Sequence, residues 1–166
     1  KTFVKAQDVV STMQNAMVPL NLASPEGNVD YVNSGHWAKR SIKEAKRYTN
    51  VNIAATSEEE GFKYFPTQDS WKFSDNSSYV HYTPNETIGG LCLRTLHNCE
   101  IPVVADYSSG ILSEPIDVSK FSLIYGGAQK NIGPSGLGFV IVKKDLLGKA
   151  QSITPNLLNY TLINDC

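Results

Sequence analysis

Two residues in this sequence have the type and setting to do covalent chemistry together, Lys130 and Asp106. Lys130 stands at the centre of YGGAQKNIGPSGLG, residues 125–138, between two apolar runs, Phe121 to Ile124 and Phe139 to Val142. That pattern predicts a glycine-punctuated loop between two strands. The glycines permit close approach by other groups, and Pro134 stiffens the turn and removes an amide donor. A lysine in a turn is ordinarily a solvated edge residue. It becomes a Schiff-base nucleophile only when its surroundings tune it. Asp106 closes a β-rich run within IPVVADYSSG, residues 101–110. A buried parallel strand would deliver it at the carboxyl end, where open α/β sheets bind ligands.

A lysine that forms an imine and an aspartate that pairs with a pyridinium nitrogen are the two protein groups that pyridoxal phosphate chemistry requires. The strings around both residues carry a resemblance. YGGAQKNIGPSGLGFVIVKKDLLGKA resembles the lysine segment of the phosphoserine aminotransferases, class V members of the fold-type I pyridoxal-phosphate enzymes. The likeness continues through ADYSSGILSEPIDVSKF, YVHYTPNETIGG and YVNSGHWAKRSIKEAKRY, in the family's order, over roughly residues 15 to 160. It implies that Lys130 carries the cofactor and later moves the proton. It implies that Asp106 pairs with the pyridine nitrogen and that Gln129 lies by the cofactor phosphate. Thr87, in the NET triplet, would contact the ring hydroxyl, and Trp37, in the GHW triplet, would stack on the ring. Without the resemblance, Trp37 at the start of an amphipathic helix reads as a packing residue, and Asn-Glu-Thr at a strand end reads as turn chemistry.

The elements that must position these residues follow from periodicity. Residues 38–48 have Ser41, Ile42, Ala45 and Tyr48 at helical spacing with basic residues opposite, which predicts a helix. Strands are expected at 29–32, 51–56, 79–82 and 101–105, with a brief edge strand at 91–93 and a short helix at 145–150. Phe3, Val4, Ala6, Val9, Val10 and Met13 trace one face of a helix over residues 1–13. The alternation of strand and helix argues for an α/β fold with a mostly parallel sheet and flanking helices. By the resemblance this is the large cofactor-binding domain of a fold-type I enzyme, apparently lacking segments. The resemblance divides the chain into an amino-terminal helix fragment (1–14), a partial cofactor-binding domain (15–150), and the start of a linker towards a carboxy-terminal domain (151–166). In the family a strand and a glycine-rich phosphate turn precede the helix that Asn15 to Leu22 resembles. No glycine precedes Gly27 here, so the sheet is expected to lack at least one strand.

The 166 residues suit one domain. Fifteen basic and sixteen acidic residues leave a net charge of −1, which offers no basic field for nucleic acid or anionic membrane. No apolar run reaches membrane-spanning length, and no signal-peptide pattern opens the chain. Cys92, Cys99 and Cys166 have no metal-ligand spacing and read as free thiols of a reducing, cytoplasmic compartment, with Cys92 in the core. No metal is expected.

The implied activity is transamination between O-phosphoserine with 2-oxoglutarate and 3-phosphohydroxypyruvate with glutamate, a step of serine biosynthesis, by a homodimer. Two alternatives stand beside it: a catalytically incompetent fragment or isoform that acts as a binding partner, and another class V aminotransferase. Such substrates call for arginine clamps. Of Arg40, Arg47 and Arg94, none falls at a clamp position of the family.

Overall fold

The computed structural model describes residues 2–7, 11–97 and 99–165. Nine strands and three helices follow in chain order: β1 (Thr2–Gln7), α1 (Gln14–Leu22), β2 (Asn28–Asn33), α2 (His36–Ala45), β3 (Asn50–Thr56), β4 (Ser77–Tyr82), β5 (Asn85–Glu86), β6 (Leu91–Cys92), β7 (Val103–Asp106), β8 (Leu123–Gly127), β9 (Gly138–Lys143) and α3 (Tyr160–Asn164). Seven strands form one sheet in the order β1-β9-β8-β7-β4-β2-β3, and β5 and β6 make a small separate hairpin. From β8 to β3 all pairings are parallel, whereas β9 runs antiparallel to both β1 and β8.

The sheet thus holds a strand ahead of α1, where the resemblance had suggested that one was missing. Residues 2–7 are a strand rather than the helix expected over 1–13. They pair in unbroken register with β9, from Thr2↔Lys143 to Gln7↔Gly138. A short helix with a sparse apolar stripe is marginal by itself, and a ladder along the outer edge of β9 satisfies the backbone better. Residues 8–10, where the expected helix continued, lie outside the described residues, as does Cys166. The other elements match their expected positions to within a few residues, except that 145–150 holds only a single 3₁₀ turn, Lys144–Leu146.

Alternation along the strands sends side chains to two cores. Tyr79 joins Tyr31, Leu123, Tyr125 and Val142 on the face covered by Met17 and Val18 of α1, Ile42 and Ala45 of α2, and Tyr160 of α3. Val80 and Tyr82 join Ala105, Ile124 and Phe139 on the other face, covered by Trp71, Leu96, Tyr107 and Phe121 from the connections. Trp71 meets Phe73 edge-on at 6.3 Å. Cys92, expected in the core, is exposed, because β6 belongs to the surface hairpin.

Helix α1 contains Pro19 and is buried along most of its length, so its polar groups need partners. The segment after β9 supplies them. The Gln151 amide side chain donates to the carbonyls of Ala23 and Tyr48, both at 3.0 Å, and the Gln151 backbone N–H donates to Leu20 O at 2.8 Å. Asn21 accepts from Tyr160 N at 2.8 Å, and the Tyr160 hydroxyl donates to Gln14 Oε1 at 2.6 Å. Residues 151–164 thus close over α1.

His81, on the helix-covered face, is 1% exposed, and burial pushes its imidazole down to about 3. The folded chain then refuses a proton that the unfolded chain accepts below about pH 6.5. Stability from this group is intact above that pH and falls as pH drops towards 3, by at most about 1.4 kcal/mol per pH unit. Urea denaturation at pH 7, 6 and 5 should show a shallower acid decline for His81→Gln than for the wild type.

Candidate active site

Because β7 and β8 are parallel, their carboxyl ends share one edge of the sheet. Because β9 runs back, it begins at that same edge, so residues 128–137 form a loop there. The Ala128 N–H donates to Leu137 O at 2.9 Å and the Gly133 N–H to Ala128 O at 2.8 Å, which closes the loop on itself. The Asn131 side chain donates to Ile111 O at 2.7 Å, tying the loop to the turn that follows β7. Gly126 opposes Phe139 in the register, and a Cβ there would stand 2.7 Å from the Phe139 ring and 2.9 Å from Ser108 Cα. Glycine is required for this close approach.

A cleft opens at the same edge. Trp37, Thr87, Asp106, Gln129 and Lys130, the five residues singled out in the sequence, all line it. Asp106 sits at its floor. Burial pushes the Asp106 carboxyl above the usual range, and hydrogen bonds from Ser108 oppose that shift. The Ser108 hydroxyl donates to Asp106 Oδ1 at 2.5 Å and the Ser108 amide donates to the same atom at 2.9 Å. Lys130 and Gln129 are exposed on the rim. The described residues do not enclose Lys130, because the loop projects from the sheet edge.

The opposite wall is built by α2 and the β5 turn. Gly35 precedes α2 and brings no capping side chain. Glu86, 0% exposed, takes that place from across the cleft. Its Oε1 accepts from the Ala38 amide at 2.8 Å and its Oε2 from the Trp37 amide at 3.0 Å. A carboxylate suits the free amides and positive end of a helix N-terminus. A Cβ on Gly35 would stand 2.8 Å from the Glu86 carboxyl carbon, so only glycine admits this contact. The next residue, Thr87, accepts from the Trp37 indole N–H at 3.1 Å. Asn85 completes the turn: its side chain donates to Ser109 Oγ at 3.0 Å, while Ser109 Oγ donates to the Asn85 carbonyl at 2.9 Å. The NET triplet thus fastens the tryptophan wall to the aspartate turn.

Sequence reading missed several lining residues: Thr12 from the 3₁₀ turn before α1, Asn15 from the start of α1, Ser41 and Arg40 from α2, and Thr83. Arg40 had a signal, since it lies three residues beyond Trp37 on the same helix, and such pairs share a face. Thr12, Asn15 and Thr83 had none, because only the sheet brings them to this edge. Among the described residues no cluster of His, Cys, Asp and Glu could hold a metal ion, and no helix is long and apolar enough to cross a membrane.

The residues fit pyridoxal phosphate. An anionic side chain lies at the floor, a flat indole is clamped on one wall, and a primary amine stands on the rim, all bordering one space.

Comparison with known proteins agrees with this geometry. Residues 9–156 match the family described as Aminotransferase class-V. A phosphoserine aminotransferase of Chromobacterium violaceum is 49% identical over 157 residues, which are 93% of this chain and 43% of that protein. The chain therefore spans less than half the length of such curated relatives. Among solved structures, a phosphoserine aminotransferase from Bacillus circulans subsp. alkalophilus superposes with a TM-score of 0.94 at 36% identity, covering 99% of this chain and 46% of that one. The pyridoxal-phosphate-bound enzyme of Trichomonas vaginalis superposes with a TM-score of 0.88 at 29% identity, over 99% and 48% of the two chains.

Removing the Glu86 carboxylate leaves two helix amides buried without an acceptor. Glu86→Ala should lower stability by about 2–4 kcal/mol, and Glu86→Gln, which keeps one acceptor oxygen, by roughly half as much. Denaturant midpoints measure both. In a Trp71→Phe background, Glu86→Ala should also shift the Trp37 fluorescence, since the indole loses its fixed backbone.

Proposed function

This chain belongs to the class V aminotransferase family, and from that premise we propose that it is the cofactor-binding part of a phosphoserine aminotransferase. The reading is carried by one observation: the parallel strand ends, the β5 turn and the β8–β9 loop gather Trp37, Thr87, Asp106, Gln129 and Lys130 around a single cleft. The proposed reaction exchanges an amino group between O-phosphoserine with 2-oxoglutarate and 3-phosphohydroxypyruvate with glutamate, the transamination step of serine biosynthesis. We assign it to a cytoplasmic homodimer. The free thiols of Cys92 and Cys99 support a reducing compartment. Ile88, Leu112 and Ile132, exposed on the turns and loops around the site residues, support a second subunit against this edge.

Pyridoxal phosphate, when bound, supplies the carbonyl that takes up the amino group and the ring that holds the electrons released from the substrate. The chain's own residues do the rest. Lys130 Nζ holds the cofactor and, once free, carries a proton to and from the substrate's α-carbon. The Asp106 carboxylate pairs with the protonated ring nitrogen. The Trp37 indole stacks on the ring face, which its bond to Thr87 keeps in one orientation. Thr87 is assigned to the ring hydroxyl and Gln129 to the phosphate side. Water exclusion around the exposed Lys130 falls to groups beyond the described residues, among them the second subunit.

A second reading has its own support. The substrates carry a carboxylate and a phosphate, yet of the three arginines only Arg40 lines the cleft. A chain that captures the cofactor without turnover agrees with that.

Two measurements test these assignments. Incubation with pyridoxal phosphate followed by borohydride should leave one reduced adduct in the intact mass, mapped to Lys130 and missing from Lys130→Ala; an adduct elsewhere overturns the assignment. Asp106→Ala should lower kcat/KM for O-phosphoserine by about 10²-fold or more with a loss of stability under about 1 kcal/mol. Cofactor uptake without any response to O-phosphoserine would favour the second reading.

A further inference from the structure

The segment from Thr83 to Thr87 carries a hydroxyl that the fold does not use. Thr83, Asn85 and Thr87 all line the cleft, whereas Glu86 turns away to the start of α2. That is the alternation of an extended chain, which sends every second side chain to one side. The three differ in what they have left to offer. Asn85 spends its amide on Ser109 Oγ, and its carbonyl accepts from the same hydroxyl. Thr87 Oγ1 accepts from the Trp37 indole N–H at 3.1 Å, which leaves its own proton to give. Thr83 is 3% exposed, and its Oγ1 has no hydrogen-bond partner among the described residues. Other buried side-chain atoms among those residues also lack a partner, but Thr83 is the one residue of that set that lines the cleft.

The sheet sets where that hydroxyl stands. β4 and β7 pair in parallel, with His81 opposite Val104 and Tyr82 opposite Ala105. One step further along both strands, Thr83 comes beside Asp106, on the same face and one strand spacing away, about 4.8 Å. A buried hydroxyl without a partner is unfavourable, because water satisfied it in the unfolded chain. At this position threonine therefore stabilises the fold no better than its apolar isostere would. Its Cβ bears the hydroxyl and the methyl together, so one staggered rotation about χ1 exchanges them without moving the backbone. The hydroxyl can thus reach a ligand in the cleft at little structural cost.

We propose that Thr83 is a ligand-contacting residue at the cleft floor, whose unspent hydroxyl donates to the ring oxygen of the bound cofactor. The inference rests on the cofactor reading above, in which Asp106 receives the ring nitrogen and Thr87 the ring hydroxyl. Thr83 stands beside the first of these residues and four positions before the second, so it borders the ring edge that joins those two atoms. The protonated nitrogen is a donor. The acceptor on that edge is the ring oxygen, which has lone pairs for two hydroxyls. Thr83 and Thr87 then hold that oxygen from two points of one extended segment.

The test uses the full protein with Thr83→Val, which exchanges the hydroxyl for a methyl, and Thr83→Ser, which keeps it. Without cofactor, the urea midpoint of Thr83→Val should equal or exceed that of the wild type, since an unpaired hydroxyl is removed. With cofactor, the dissociation constant of pyridoxal phosphate should rise about tenfold in Thr83→Val, the contribution of one hydrogen bond to a charged oxygen. Thr83→Ser should stay within about threefold of the wild type. For 3-deoxypyridoxal phosphate, which carries hydrogen in place of the ring hydroxyl, wild type and Thr83→Val should agree within about twofold. A lower midpoint for Thr83→Val without cofactor means that the hydroxyl serves the fold, and it overturns the proposal. Unchanged affinity for pyridoxal phosphate, or equal weakening for both ligands, overturns it as well. A wild type that takes up neither ligand defeats the cofactor reading and this inference with it. A wild type that takes up both, with Thr83→Val no weaker for pyridoxal phosphate, defeats this inference alone.

Discussion

The carboxylate of Glu86 at the start of α2 is the contact on which the site's assembly depends. A helix start leaves amides without internal partners, and α2 begins after a glycine that brings no capping group. Glu86 satisfies two of those amides from another element, the short strand β5. The contact therefore joins two segments nearly fifty residues apart, and Gly35 is the residue that lets them meet. Its neighbours on either side extend the joint. Thr87 holds the Trp37 indole, and Asn85 holds the serine turn beyond Asp106. One buried charge thus organises a stacking wall, a hydroxyl and the approach to the carboxylate floor.

The sheet supplies the other half. Five parallel strands would carry their carboxyl ends to one edge in any doubly wound fold, but a lysine on the next connection would usually lie far away, after a crossover. Here β9 returns antiparallel to β8, so the connection is a local loop at the functional edge. The distance from Asp106 to the lysine loop is set by two adjacent strands and not by a flexible segment. β1 completes the outer side by pairing with β9, which buries the backbone of the strand that follows Lys130.

The core under the site is unusually polar, and its polarity is uncharged. Tyr125, His81, Asn15 and Ser41 give and receive hydrogen bonds without an ionised member. In a medium of low dielectric such a string fixes orientation while avoiding the desolvation that a buried cation would bring. The nearby carboxylates, Asp106 and Glu86, each have hydrogen-bond donors of their own.

Much of this was legible in the chain itself. The AQKNIGP loop between two apolar runs and the acid at the end of IPVVAD are local patterns that periodicity reads directly, whereas the NET and GHW triplets were legible as site residues only through the family resemblance they carry. The helical stripe after Trp37 likewise forecast α2, because one face of a short helix is written in about three consecutive turns of sequence. Other features were decided only by the tertiary structure. Residues 2–7 became a strand because β9 offered an unpaired edge, a fact no window of thirteen residues contains. Cys92 came to the surface because its strand pairs in a separate hairpin. Glu86 reads in sequence as turn polarity, and Arg40, Asn15 and Thr12 as ordinary helix residues; their places at the cleft depend on contacts between segments far apart in the chain. Sequence determined which groups exist and which local element bears each one. The pairing of distant strands, and the one carboxylate that bridges them to a helix start, decided which of those groups meet.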